Sequence, residues 1–591
     1  MSSLFYDHAT ISSALRLEAL RAAPSGVHEA APAGAIWPSD TIPVQRFSTE
    51  RDLDFLDRLM RWIDQLRSHL MRLPVGSELG RDGVDLFEVG RYHLMTALAP
   101  VFRRWEIAAA LARQHAEVWW SSTGRLPATL RASLHAAVAP APLHVAAQPG
   151  RDLRALGRGL LARGWQVAVD PSFPTNWLRR VQLEGARGNV VFAEYFPHSA
   201  LGLIPVAREL ETRHGLRVTW LAARREVAAS LAKAGVASFR LEQFASPHSS
   251  RAAVLGWGLR RRLREAIMGL PAPLLPFATG DAAPRRLIAD ALVAAIAEAT
   301  RWLASFGAAL RALQPTAIVS TTYSSVPGRA CATVARGQGA AAVYVQHGLF
   351  PDRYVYAHFL HDLNCMWGEY EVSALARHGV DRSSLFVTGA VIYDDLIERA
   401  RAPRPAREGL RIGFLASLTG GDFSPAEVCR RTLTAVARLS EQFPDATITV
   451  KTHPGDRTRV PEESLAPFPK VRLVRTGSSQ DVVLGSDLVI VVASTTGFEA
   501  CVAQRPLIVF NLTGEKTPVE YVELGAALEV LDADTLAPTV ATLLADQERL
   551  ASLARGRQRL LEKMLAGAEG GATQRVARLV AQAVARAALT K

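Results

Sequence analysis

Cysteine is nearly absent: Cys331, Cys365, Cys429 and Cys501 are the only four in 591 residues, and none is paired at a metal-binding spacing. That excludes a disulfide-framed secreted domain and fits a reducing compartment, with the thiols as small core residues. There is no CxxC, HExxH or EF-hand loop, so no metal site has a motif behind it and no cofactor is called for. No apolar run approaches the roughly 20 residues that cross a bilayer. Residues 1–20 lack a basic patch followed by an apolar core, so a cytoplasmic protein is expected. Lysine is scarce too, and the formal charge of +12 is almost entirely arginine. The charge is spread along the chain with no aromatic-plus-basic signature. Phosphate-bearing small molecules, and an anionic surface at the inner face of the cytoplasmic membrane, fit it better than nucleic acid.

What is present is ordinary for a globular chain, with 21% charged and 7% aromatic residues. The length exceeds one core, so two or three domains are expected. Residues 1–138 read as a helical extension: 51–73 put Leu53, Phe55, Leu56, Leu59, Met60 and Ile63 on one stripe, and a second helical run covers 84–120. The extension carries no recognisable chemistry and reads as a packing or docking appendage. From residue 142 strands are predicted at 144–147, 166–169, 189–193, 217–221, 317–320 and 342–345. Helices are predicted at 151–163, 201–214 and 327–337, with a helical insertion at 251–313. This alternation means a parallel sheet covered on both faces. A second series has strands at 385–388, 411–415, 447–451, 471–474, 488–492 and 507–510, then a helical tail from 537 broken at Gly570-Gly571. The expected fold class is α/β: two Rossmann-like domains, 139–384 and 385–591, facing a cleft, with the N-terminal helical extension.

In open parallel sheets, ligands bind beyond the carboxyl ends of the strands. In the second series three such ends run into small polar loops. These are Ser417-Leu418-Thr419-Gly420-Gly421, Thr452-His453-Pro454-Gly455-Asp456, and Ser494-Thr495-Thr496-Gly497-Phe498-Glu499. The last opens a helix, whose unpaired first N–H groups favour phosphate oxygens. Ser494, Thr495 and Thr496 add hydroxyls, Gly497 lets a ligand approach the backbone, and Glu499 reaches toward a ribose. Thr496-x-x-Glu499 also spells a capping box. Pro454 stops its strand and leaves His453 at the edge beside Lys451, placed to hold a diphosphate or to protonate a leaving phosphate. In the first series Gln346-His347-Gly348 follows a strand, and the glycine allows a turn that aims His347 across the cleft as a base for an acceptor hydroxyl. The loop Glu194-Tyr195-Phe196-Pro197-His198-Ser199 ends another strand on that edge. Glu194, His198, Ser199 and Gln346 are therefore acceptor-binding candidates, with 321–325 a weaker one; Ser199 also suits a helix cap.

Gln346-His347-Gly348, Met366-Trp367-Gly368-Glu369, Val387-Thr388-Gly389, Lys451-Thr452-His453-Pro454, Ser494 through Ala500, and Arg505-Pro506 occur in an order that resembles GT-B-type glycosyltransferases of bacterial capsule and lipopolysaccharide synthesis. The resemblance covers about 190–544. It implies a sugar moved from a CMP- or UDP-linked donor to a surface-glycan or lipid-linked acceptor without a metal, with His347 and His453 catalytic. The donor would lie on Ser417, Gly420, Gly421, Lys451, His453, Pro454, Ser494, Thr495, Thr496, Gly497 and Glu499. In sialic acid and Kdo transferases a His-Pro motif similar to His453-Pro454 contacts the donor phosphate. Teichoic-acid polyol-phosphate transferases carry a similar His-Gly and His-Pro pair, which leaves phosphoryl transfer as an alternative. UDP-GlcNAc 2-epimerases share the fold, and a non-catalytic glycan-assembly scaffold is the reading from another class.

Overall fold

The computed structural model describes residues 2–7, 27–30, 50–80, 83–114, 117–122, 143–147, 189–245, 254–275, 282–403, 409–416, 426–453, 459–492, 495–512, 514, 519–566 and 569–589. Three all-parallel sheets organise it. The first holds β1 (Ser2–Asp7), β2 (Val27–Ala30), β3 (Glu117–Ser122) and β4 (Leu143–Ala147) in the order β2-β1-β3-β4. The segment expected to be mostly helical, with 23–40 irregular, therefore contributes three strands. The strand expected near 144 pairs with β3 rather than with the domain that follows. The elements expected at 151–163 and 166–169 lie outside the described residues.

The second sheet comprises β5 (Asn189–Glu194), β6 (Arg217–Ala222), β7 (Phe239–Arg240), β8 (Ala317–Ser320), β9 (Ala341–Val345), β10 (Leu363–Met366) and β11 (Leu385–Val387), in the order β11-β10-β9-β8-β5-β6-β7. The third comprises β12 (Arg411–Ala416), β13 (Thr447–Thr452), β14 (Val471–Val474), β15 (Leu488–Val491), β16 (Leu507–Phe510) and β17 (Leu528–Val530), in the order β14-β13-β12-β15-β16-β17. Both start at a central strand, grow one way, then return and grow the other way. This is the doubly wound Rossmann order, with switch points between β5 and β8 and between β12 and β15. The reason lies in the sequence: Leu488–Val491 and Leu507–Phe510 are apolar at every position and buried at every position, which only a sheet covered on both faces allows.

Two boundaries differ from expectation. The strand at 385 closes the first Rossmann domain, since β11 pairs with β10, Cys365 opposite Phe386. The last helix, Ala572–Leu589, returns to that same domain, and Val576, Ala577, Val580 and Val584 share a core with Val190, Phe192 and Val343. Strand and helix periods show that an element exists, but not which sheet it joins. The N-terminal helices Glu50–Leu70 and Leu86–Gln114 pack into the first Rossmann domain, with Phe55, Ile63 and Phe87 in one cluster with Tyr344, Met366 and Leu385. A buried Arg329 fixes them in place, its Nε donating to the Glu88 carbonyl at 2.7 Å. Among the described residues no helix is long and apolar enough to cross a membrane.

Candidate functional site

Three histidines stand at carboxyl ends of strands in the two Rossmann sheets. His198 opens the 18-residue helix Pro197–His214 after β5, His347 follows β9, and His453 follows β13. Burial lowers the His198 pKa, and a charge on His453 lowers it further. Burial pulls His347 down to about 4, with His198 adding to the effect. His198 thus feels the charge of His453 across the two domains, and His347 feels that of His198. His453 is exposed, and its N–H donates to the Ala416 carbonyl at 3.2 Å, so β12 and β13 deliver it to the sheet edge together. His347 is partly buried beside the Thr321 main chain, and its Nδ1 has no protein partner. It is a neutral ring at physiological pH.

Several candidates prove to be internal braces. Glu194 is buried, and Thr321 takes both of its carboxylate oxygens, the N–H donating to Oε1 at 2.7 Å and the hydroxyl to Oε2 at 2.9 Å. Burial pushes this carboxyl up to about 8. Glu194 ends β5 and Thr321 follows β8, so the pair bridges the two strands at the switch point of the first domain. Gln346 is committed as well: its amide nitrogen donates to the Gly348 carbonyl at 2.8 Å, and its amide oxygen accepts the Trp367 N–H at 2.7 Å. Ser199 is buried with its hydroxyl unpartnered. Phe196 stands at the cap position of that helix, so Ser199 is not its cap.

On the donor side, Ser417, Gly420, Gly421, Pro454 and Ser494 lie outside the described residues. Thr495 is exposed and Thr496 half-buried at the mouth of the helix Gly497–Val502. That helix has six residues, so its dipole is small and hydroxyls and His453 matter more for an anion. The capping box does not form, because Thr496 makes no side-chain cap bond. Glu499 turns instead toward Ser479 and Lys451, and its Oε2 has no protein partner. Burial pushes the Glu499 carboxyl up to about 7, against the Ser479 hydrogen bond and the Lys451 charge. Lys451 is buried, its ammonium donating to the Thr452 carbonyl at 2.8 Å, so it supplies charge from beneath the pocket rather than reaching into it. Gly497 serves packing: a Cβ there would stand 2.9 Å from the Tyr521 ring, so the reason expected for it, ligand approach, is replaced by a wall of protein.

Sequence reasoning gave Thr452 no role within its strand-end loop and passed over Ser479. The buried Thr452 hydroxyl is unpartnered at the carboxyl end of β13, and Ser479 opens a helix after β14. Both follow the strand-end rule, which would have found Ser479 had it been applied to β14. Unpartnered buried polar atoms call for a bound water or ligand. Ser199 Oγ, His347 Nδ1, Thr452 Oγ1 and Glu499 Oε2 all lie at these strand ends. Among the described residues no cluster of side chains could hold a metal ion.

Residues 419–513 match the family described as capsule polysaccharide biosynthesis protein, a stretch that carries β13 to β16. No curated protein matches the sequence. Among solved structures, UDP-GlcNAc 2-epimerase from Neisseria meningitidis bound to UDP-GlcNAc aligns with a TM-score of 0.44 at 14% identity, over 67% of this chain and 100% of that one. CalG4, the calicheamicin glycosyltransferase, gives 0.42 at 15% identity over 68% and 98%. MurG from Acinetobacter baumannii gives 0.38 at 14% over 67% and 99%.

Proposed function

We propose that the chain is a GT-B-type, metal-independent glycosyltransferase that moves a sugar from a CMP- or UDP-linked donor on the second Rossmann domain to a glycan or lipid-linked acceptor held along the first. The carrying observation is the electrostatic link of His198 and His347, at strand ends of the first domain, to His453 at a strand end of the second, together with the unpartnered Thr452 hydroxyl and Glu499 oxygen. The acceptor oxygen attacks the anomeric carbon while His347 takes its proton. The bond from that carbon to the donor phosphate oxygen breaks, and the leaving phosphate stays on His453 and the Thr495-Thr496 turn, where His453 can protonate it. Glu499 accepts a ribose hydroxyl. Phosphate charge next to His347 raises its basicity at the moment it is needed. Domain closure keeps water from the donor.

A thermal-shift screen with CMP, UDP, CDP and GDP tests the binding half. A nucleotide at 100 times its Kd should stabilise the fold by about 2.7 kcal/mol. The family match at 419–513 then directs the choice of acceptors toward capsule glycans. Phosphate found in the product would mean polyol-phosphate transfer, and no stabilisation by any nucleotide would end the proposal.

A further inference from the structure

Trp367, the residue after β10, touches four separate parts of the molecule while only 2% of its surface is exposed. On one side it clamps the loop that carries His347: its N–H donates to Gln346 Oε1 at 2.7 Å and its indole Nε1 donates to the Gln346 carbonyl at 3.0 Å. Gln346 in turn holds the Gly348 carbonyl at 2.8 Å, so both flanks of His347 are fixed. On the other side the indole lies nearly parallel to Phe498, centroids 6.2 Å apart at 24°, and Phe498 belongs to the helix opened by Thr495-Thr496. Its edge meets Tyr393, at 5.2 Å, in the connection from the first Rossmann domain to the second. Its carbonyl accepts the Ala566 N–H at 2.7 Å, in the connection that returns.

We propose that Trp367 is a positioning residue that couples donor binding at the Thr495-Thr496 turn to the placement of His347 by way of Phe498 and Gln346. This rests on the reading of the cleft given above. A close-packed interior does not deform smoothly, so a small shift of the Gly497–Val502 helix has to be taken up by the indole that abuts it. Trp367 is bonded to the His347 loop at two points, one through its indole Nε1 and one through its main-chain N–H, which gives the shift a route to the base.

The test follows the His347 ring by NMR in histidine-labelled full-length protein, the resonance assigned with H347Q, while calorimetry follows CMP, UDP, CDP and GDP. In the wild type, saturation with the nucleotide that binds should move the His347 signal and raise its titration midpoint from about 4. W367F keeps a ring against Phe498 and removes the Nε1 donor. It should bind nucleotide within about threefold of wild type, lose most of the His347 response, and drop kcat roughly tenfold with little change in donor KM. F498L reaches the same coupling from the donor side with the Trp367–Gln346 bonds intact, and should also weaken the response if W367F proves too unstable to read. An unchanged His347 response in the variant that folds, or no response in wild type although a nucleotide binds, overturns the coupling alone. No nucleotide binding at all overturns the glycosyltransferase reading first, and the coupling with it.

Discussion

His453 is where the proposed chemistry is most exposed to test, because no neighbouring residue duplicates its position at the carboxyl end of β13 in the described residues. Replacing it with alanine should cut sugar transfer by ~10²–10⁴, the range of a general acid or base, and leave the melting temperature nearly unchanged since the side chain is exposed. Unchanged turnover with the true donor would remove His453 from the mechanism. A different prediction concerns a carboxyl that no motif flagged. Glu371 is fully buried, its Oε2 has no partner, and burial pushes it from 4.5 up to about 8. Between those two values the unfolded chain has lost the proton that the folded protein still holds. Stability therefore falls as pH rises through that window, by up to about 1.4 kcal/mol per unit, and is insensitive to this group below it. Glu371→Gln should flatten that part of the profile. Urea unfolding at pH 5 and pH 8 should show a smaller loss for the variant than for wild type; equal losses would mean that Glu371 is ionised in the native state.

Gly497 separates two accounts of the same helix. If it served ligand approach, alanine there would weaken nucleotide binding and spare the fold. The Tyr521 ring and Leu507 stand within 3.2 Å of the added methyl, so Gly497→Ala should instead destabilise the protein by about 1–3 kcal/mol as the site is overpacked. A melting curve that does not move would show that Tyr521 swings away freely. The elements themselves were largely legible. β8, β14 and β16 fall on the predicted strands because each is a short apolar run bounded by turn residues. β10 was not read because Asn364 interrupts its apolar run; that side chain donates to the Ser384 carbonyl at 3.2 Å and to its hydroxyl at 3.4 Å, which the local sequence does not announce. β3 was absorbed into the helix before it, since Trp119-Trp120 continue an apolar pattern that suits either period. In the site, His347 and His453 were legible as edge residues, whereas the role of Glu194 depends on Thr321, 127 residues away. Pairing over that distance is set by sheet order, which periodicity does not encode.

At the scale of the molecule, the two connections between the Rossmann domains touch each other. Asp394 in the first accepts the N–H of Ala572 at 3.1 Å and of Thr573 at 2.7 Å, and so holds the start of the last helix. Arg575 of that helix donates to the Thr388 carbonyl at 2.7 Å. Between them Gly389 adopts φ +82°, and a Cβ there would lie 2.5 Å from the Ala566 carbonyl oxygen. A rotation of one Rossmann domain against the other would therefore bend at this crossing, with the last helix kept with the first domain. The sequence order suggests the opposite, that everything from 385 onward belongs to the donor domain, and the two assignments predict different outcomes for a chain ended at Gly571. Removing Ala572–Leu589 uncovers the face of the β5–β8–β9 core that Val576, Ala577, Val580 and Val584 cover. Val576, Val580 and Val584 alone are worth roughly 1.5–3 kcal/mol each as an upper estimate. That is comparable with the 5–15 kcal/mol that holds a typical domain folded. Limited proteolysis of the truncated protein should digest the first Rossmann domain and leave a resistant fragment of about 409–566, which contains all six strands of the third sheet. Protection of 189–387 with loss of the 409–566 fragment would assign the helix to the donor domain after all, and would move the hinge away from Gly389.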